Sequence, residues 1–273
     1  MQKHHLTIKG IRIAYLEQNP DCKNTIFFIH GNSVSSASWM KQLNSELFSK
    51  YRLIAFDLPA HGDSAASPEP YSDYTFAGLA SIATLLVEQL ETGPYIICGV
   101  SLGTNIMAEM IPFGIDPAGL FFAGSCLMGE GIGLERIALP GADLSVFFSD
   151  DAKDEAVMKY RSQTSLSEDM SDAQSFLADF KKVQAPFRTS FINSIVTGKM
   201  GDHFRQVNSS SCLMGWVFGA DEKVADPHYM DDVDVPKWKD QVFKIPGASH
   251  LVNIDQPEAF NKLLAEFAED CFD

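Results

Sequence analysis

Tyr95-Ile96-Ile97-Cys98-Gly99-Val100-Ser101-Leu102-Gly103-Thr104 is the stretch whose reading decides this chain. An apolar run enters it, a Gly-x-Ser-x-Gly pentapeptide turns it, and a helix-like run to Met110 leaves it. Strand, tight turn and helix together can hold a serine in strained backbone geometry, its hydroxyl exposed at the carboxyl end of a sheet. The glycines are required because a side chain at either place would collide with the adjoining strand or helix.

Working outward, Leu6–Ile8 and Ile11–Tyr15 flank Lys9-Gly10 and predict a hairpin. Thr25–Ile29 and Arg52–Phe56 are continuous apolar runs, as in strands covered on both faces. Leu79, Ile82, Ala83, Leu86 and Leu90 recur at helical spacing and predict a helix over 75–91. Gly119–Ala123 reads as a further strand, and the pattern resumes with strands at Leu213–Phe218 and Gln241–Ile245 and a final amphipathic helix from Pro257 to about Cys271. This alternation predicts an α/β fold with a mainly parallel central sheet flanked by helices. Between 126 and 210 it breaks. Leu144–Phe148, a charged helix over 150–162, a helix over 171–184 opened by a Ser171/Gln174 capping pair, and a short helix near 187–196 read as a helical cap inserted into the sheet domain. The expected division is therefore a core of 1–125 and 211–273 with a cap of 126–210.

The 273 residues carry a net charge of −15, which argues against nucleic acid and against anionic membrane surfaces as partners. No apolar run approaches the ~20 residues of a bilayer-spanning helix. The first residues lack the signal-peptide plan, and five scattered cysteines form no CxxC pair. The expectation is a reduced, cytoplasmic protein acting on a small molecule, with its oligomeric state left open.

Three more motifs fall just after predicted strands. His30-Gly31-Asn32-Ser33 can present the amide of Asn32 which, with that of Leu102, would bind a tetrahedral oxyanion. Asp57-Leu58-Pro59-Ala60-His61-Gly62-Asp63-Ser64 reads as a structural turn at the pocket edge. An acid in Gly219-Ala220-Asp221-Glu222 and the histidine of Pro246-Gly247-Ala248-Ser249-His250 complete the order nucleophile, acid, histidine. A serine hydroxyl is a weak nucleophile at neutral pH. It needs an imidazole to take its proton and a carboxylate to hold that imidazole in the right tautomer. Ser101, one of the two acids and His250 are thus the candidate catalytic residues, and this chemistry calls for no cofactor and no metal.

With these motifs the chain resembles the α/β-hydrolase superfamily over about 5–125 and 211–273. In that fold the acid usually sits three residues beyond the glycine that ends its strand, which points to Glu222, with Asp221 as the alternative. Hydrolases of this fold that use an aspartate nucleophile are excluded by Ser101. A narrower resemblance is to the α/β-hydrolase type of N-acyl-homoserine lactonase. It is carried by the HGNS segment, the elbow, the Gly-x-Asp-Glu loop, the GASH segment and the acid-Cys pair Asp270-Cys271. That resemblance implies that Tyr160 hydrogen-bonds the substrate, an ester or lactone with an apolar acyl part. Ala60 and Thr104 depart from the pattern, standing where the family commonly has glycine. A carboxylesterase, C–C hydrolase or perhydrolase would use the same triad. A hydrolase-fold binding protein is the reading from outside enzymology.

Overall fold

The computed structural model describes residues 1–273. Its eight strands are β1 (Gln2–Ile8), β2 (Ile11–Gln18), β3 (Thr25–Ile29), β4 (Arg52–Phe56), β5 (Tyr95–Val100), β6 (Gly119–Ala123), β7 (Leu213–Gly219) and β8 (Phe243–Ile245). They form one sheet in the order β1-β2-β4-β3-β5-β6-β7-β8. The β1–β2 and β2–β4 pairs are antiparallel and every pair from β4 to β8 is parallel. The hairpin turns at Lys9 and Gly10, both at positive φ, as a two-residue turn matched to strand twist requires.

The inner strands are apolar on both faces because both faces are covered. Phe27, Ile29, Ile97, Leu120, Phe122 and Trp216 point into one core layer with the helices Phe76–Leu90 and Leu102–Met110. The residues between them, Ile26, Phe28, Ile96, Cys98, Phe121 and Val217, point into a second layer with the helix Pro257–Phe272. Each large side chain so buried is worth roughly 1.5–3 kcal/mol of transfer free energy.

The expected α/β architecture is found, with shifts at element ends. The helix foreseen over 150–162 runs Asp154–Thr164, because Asp150 is drawn away. Its carboxylate accepts from the Arg188 amide at 3.1 Å and the Thr189 hydroxyl at 2.7 Å, serving the first turn of the helix Phe187–Val196. The next helix is Met170–Lys182, and its cap is Asp169, which accepts from the Ser171 amide at 2.8 Å. The expected Ser171/Gln174 pair does not cap it, since Ser171 already lies inside the helix. A helix at His203–Asn208, capped by Asp202, has too few residues to show a period and was not foreseen. No strand lies between β6 and β7, and no helix is long and apolar enough to cross a membrane.

Strand order places the site. From β3 the chain moves to β4 on one side, then returns to β5 on the other. A crevice opens outside the carboxyl ends of parallel strands where the order reverses in this way. The segments following β3 and β5 are His30–Ser33 and Ser101–Leu102.

Candidate active site

Ser101 follows β5 at φ 53°, ψ −119°, in the left-handed half of the map, and its amide donates to the Ala123 carbonyl at 3.0 Å. A non-glycine residue held there stores on the order of 1–3 kcal/mol of strain, sustained only by its surroundings. Gly99 and Gly103 are those surroundings. A Cβ on Gly99 would lie 2.5 Å from Met107 Sδ, and one on Gly103 would press into the Ile29 carbonyl of β3. Because that contact is with backbone, Gly103→Ala should destabilise the fold by at least about 1–3 kcal/mol, read as a lower urea midpoint.

Ser101 Oγ lies 2.9 Å from His250 Nε2, and His250 Nδ1 lies 3.1 Å from Glu222 Oε1. With Nδ1–H donating to Glu222, Nε2 is free to accept the serine proton. Glu222 Oε1 also accepts from the amides of Val224 and Ala225, each at 3.0 Å, while Oε2 is buried without a partner. Asp221 is exposed and its carboxylate takes the Gly247 amide at 2.7 Å. Of the two candidate acids, therefore, it is Glu222 that reaches the histidine. Burial of His250 opposes its charged form, but the Glu222 carboxylate and, after it, the Cys126 side chain favour that form and together win, so the imidazole pKa lies well above the ordinary 6.5.

The amides of Asn32 and Leu102 are unpaired. Asn32 N makes no backbone bond, and Leu102, at the first position of its helix, has no carbonyl one turn back. Both residues line the same cavity as Ser101 and His250, of about 130 Å³. The two free N–H groups can stabilise negative charge on an oxygen bound beside Ser101.

Tyr160 lines this cavity as well. It is 5% exposed, its ring packs edge-on to Phe147 at 4.7 Å, and its hydroxyl has no protein partner. Burial pushes its phenol pKa well above 10, so it is a neutral donor. The rest of the wall is apolar. Of the aromatic residues between β6 and β7, Phe147, Phe148 and Phe191 face the cavity, whereas Phe180 and Phe187 are packed inside. Leu134, Ile137, Ile192 and Ile195 also line it. They belong to no motif, and their place on the wall is set by how this segment folds back.

The Asp57–Ser64 turn is structural, as expected. Asp57 accepts the Ser36 amide at 2.7 Å and the Asp63 amide at 2.8 Å. Ala60, in the place of the common glycine, takes φ 66°. His30 accepts the Leu58 amide at 2.9 Å and His61 accepts the Ser33 amide at 3.3 Å, and burial holds both rings neutral for that role. Thr104, the other departure from glycine, donates its hydroxyl to the Ser101 carbonyl at 2.6 Å.

Among curated proteins, the chain is similar to the uncharacterised hydrolase YugF of Bacillus subtilis, 33% identical over 101 residues. That match covers 37% of this chain and 36% of YugF, so the chain spans about a third of that relative's length. Among solved structures it superposes on the N-acyl homoserine lactonase AidH complexed with N-butanoyl homoserine at a TM-score of 0.90 and 26% identity, covering 100% of this chain and 98% of that one. A variant of AidH complexed with N-hexanoyl homoserine lactone gives 0.91 at 25% identity, covering 100% and 99%. An esterase from Thermogutta terrifontis shares the fold at a TM-score of 0.76 and 17% identity, with both chains covered in full. The family model described as "Alpha/beta hydrolase family" matches residues 26–263, a span that takes in every strand-end segment of the site, and the chain belongs to that family.

Proposed function

We propose that this protein is a serine hydrolase that opens an ester or lactone bond through an acyl-enzyme, with N-acyl-homoserine lactones as its substrate class. The observation that carries this reading is the line Ser101–His250–Glu222 beside two free amides, in an apolar cavity that contains one unpartnered phenol. Residues 126–210 act as a cap over the core formed by 1–125 and 211–273. The protein is cytoplasmic, in keeping with five free thiols.

In this reading Ser101 Oγ attacks the carbonyl carbon while His250 Nε2 takes its proton. The carbonyl oxygen becomes an oxyanion held by the amides of Asn32 and Leu102. Each such donor is typically worth a factor of about 10²–10³ in rate. As the carbonyl re-forms, the C–O bond to the leaving oxygen breaks and His250 returns its proton to that oxygen. In a lactone the alcohol so formed stays attached to the acyl group. Water, deprotonated by His250, then releases the acid and restores Ser101. Similarity to AidH over the full length supports the lactone class, and the apolar wall suits an acyl chain.

The test compares hydrolysis of N-acyl homoserine lactones of graded chain length with that of p-nitrophenyl esters, alongside labelling of Ser101 by a fluorophosphonate. Turnover of lactones and covalent labelling are expected. Turnover confined to the esters would make the protein a carboxylesterase, and no turnover and no label would leave a binding protein. Tyr160→Phe removes one neutral hydrogen bond worth about 1 kcal/mol. The expected outcome is a loss of roughly fivefold in kcat/KM on lactones, with no movement of the pH profile.

A further inference from the structure

Arg188 stands at the start of the helix Phe187–Val196, 2% exposed, and it is the one buried arginine here without a carboxylate partner. A buried guanidinium costs several kcal/mol in lost hydration unless its donors are engaged. Its donors go to two oxygens. Nε donates to Ser33 Oγ at 3.0 Å, and a terminal nitrogen donates to the Phe180 carbonyl at 2.5 Å, in the last turn of the helix Met170–Lys182. The guanidinium carbon also lies 3.7 Å from the centre of the Phe180 ring. Burial lowers its pKa, to about 10, which leaves it charged at neutral pH.

Ser33 adjoins the proposed oxyanion residue Asn32. With its oxygen accepting from Arg188, the Ser33 hydroxyl turns its proton to Asn32 Oδ1 at 2.8 Å. The Ser33 amide meanwhile donates to His61, whose acceptor state is protected by burial and by the Arg188 charge itself. Ser33 sits at φ 60°, a conformation a serine keeps only when held. The loop is thus fixed through the Ser33 side chain and amide, which leaves the Asn32 amide free of any acceptor.

We propose that Arg188 is a positioning residue for the oxyanion site, acting through Ser33 on Asn32, so that the site is competent only while the 170–196 segment is docked. This rests on the acyl-serine reading above. The role is differential. An aligned Asn32 amide matters to the tetrahedral oxyanion and far less to an uncharged substrate.

The experiment uses Arg188→Met and Ser33→Ala in the full chain. Turnover is normalised to active sites counted by fluorophosphonate, and affinity is measured for a trifluoromethyl ketone, whose serine adduct carries an oxyanion, and for an uncharged lactam analogue of the substrate. Each variant should lose at least about tenfold in kcat. Affinity for the ketone should fall in step, while KM and lactam affinity stay within about threefold. A kcat within twofold of the parent in either variant overturns the proposal, as does lactam affinity falling as far as ketone affinity, which would mark a general loosening. If Arg188→Met does not fold, Ser33→Ala decides by the same two criteria, because it removes the relay oxygen and leaves the arginine in place. Ser101→Ala is run in parallel. Should it keep turnover, the acyl-serine reading itself fails. An inert Ser101→Ala beside fully active Arg188 and Ser33 variants removes only the role given to Arg188.

Discussion

Ser101→Ala is expected to lower turnover of both esters and lactones by about 10⁴-fold or more, and to abolish fluorophosphonate labelling. The size follows from how the site is joined. Once the oxygen that lies 2.9 Å from His250 is gone, the base has no nucleophile to activate, so the histidine and Glu222 contribute nothing further to acylation. What remains is substrate binding and the two free amides, which in such sites leave a residual acceleration over water. The fold should be unharmed. Alanine carries the same Cβ as serine, and the backbone bonds at position 101 are made by its amide and carbonyl. A melting temperature within a few degrees of the parent, with turnover gone, is the full expected result. Undiminished turnover would remove Ser101 from the chemistry.

The second large effect is at Glu222. Its Oε1 accepts from three donors and its Oε2 from none. In Glu222→Gln the amide oxygen can take the Oε1 place and keep the Val224, Ala225 and His250 bonds, which preserves the histidine tautomer. The negative charge is lost, and the amide nitrogen sits where no acceptor faces it. Acylation makes His250 positive, so kcat should fall by about 10²–10⁴-fold.

The pH profile carries the more specific signature. His250 must be neutral to act as a base, so activity rises with pH through its pKa. Glu222 holds that pKa well above 6.5 against burial, so the inflection in kcat/KM for the parent should lie above 6.5. In Glu222→Gln the strongest influence opposing burial is gone and only Cys126 still favours the charged ring, so the inflection should move down, below that of the parent. An unmoved inflection would mean that Glu222 does not set the histidine pKa. The same raised pKa has a stability consequence of fixed sign. The folded protein holds this proton more tightly than the unfolded chain does. The contribution of the His250–Glu222 pair is therefore full below about pH 6.5 and is lost as pH rises through the folded value.

Much of this was legible in the chain because it is local. Ser101 needed only its own strand, turn and helix to be recognised, since the elbow is a short-range steric solution that glycines at 99 and 103 make possible. The apolar runs of β3 to β7 announced strands covered on both faces. Ser101, Asn32, Glu222 and His250 could be placed because each follows closely on a strand end. Between β6 and β7 legibility fell. There the helix ends depend on carboxylates that arrive from elsewhere, as when Asp150 serves the helix at Phe187, and such a cap leaves no signature in the residues beside it.

The sequence by itself singled out the candidate nucleophile and histidine, and determined the family and the alternation of strands and helices, all of which are written in short local segments. It left the acid open between Asp221 and Glu222, because neighbours in a loop differ only in where their side chains are sent. Tertiary structure made that choice by turning Asp221 outward to the Gly247 amide and Glu222 inward to His250. It also brought Arg188 to Ser33 across 155 positions of chain and decided which aromatic residues face the cavity and which pack behind it. These are long-range outcomes of burial and hydrogen-bond satisfaction, and they exist only once the whole chain is assembled.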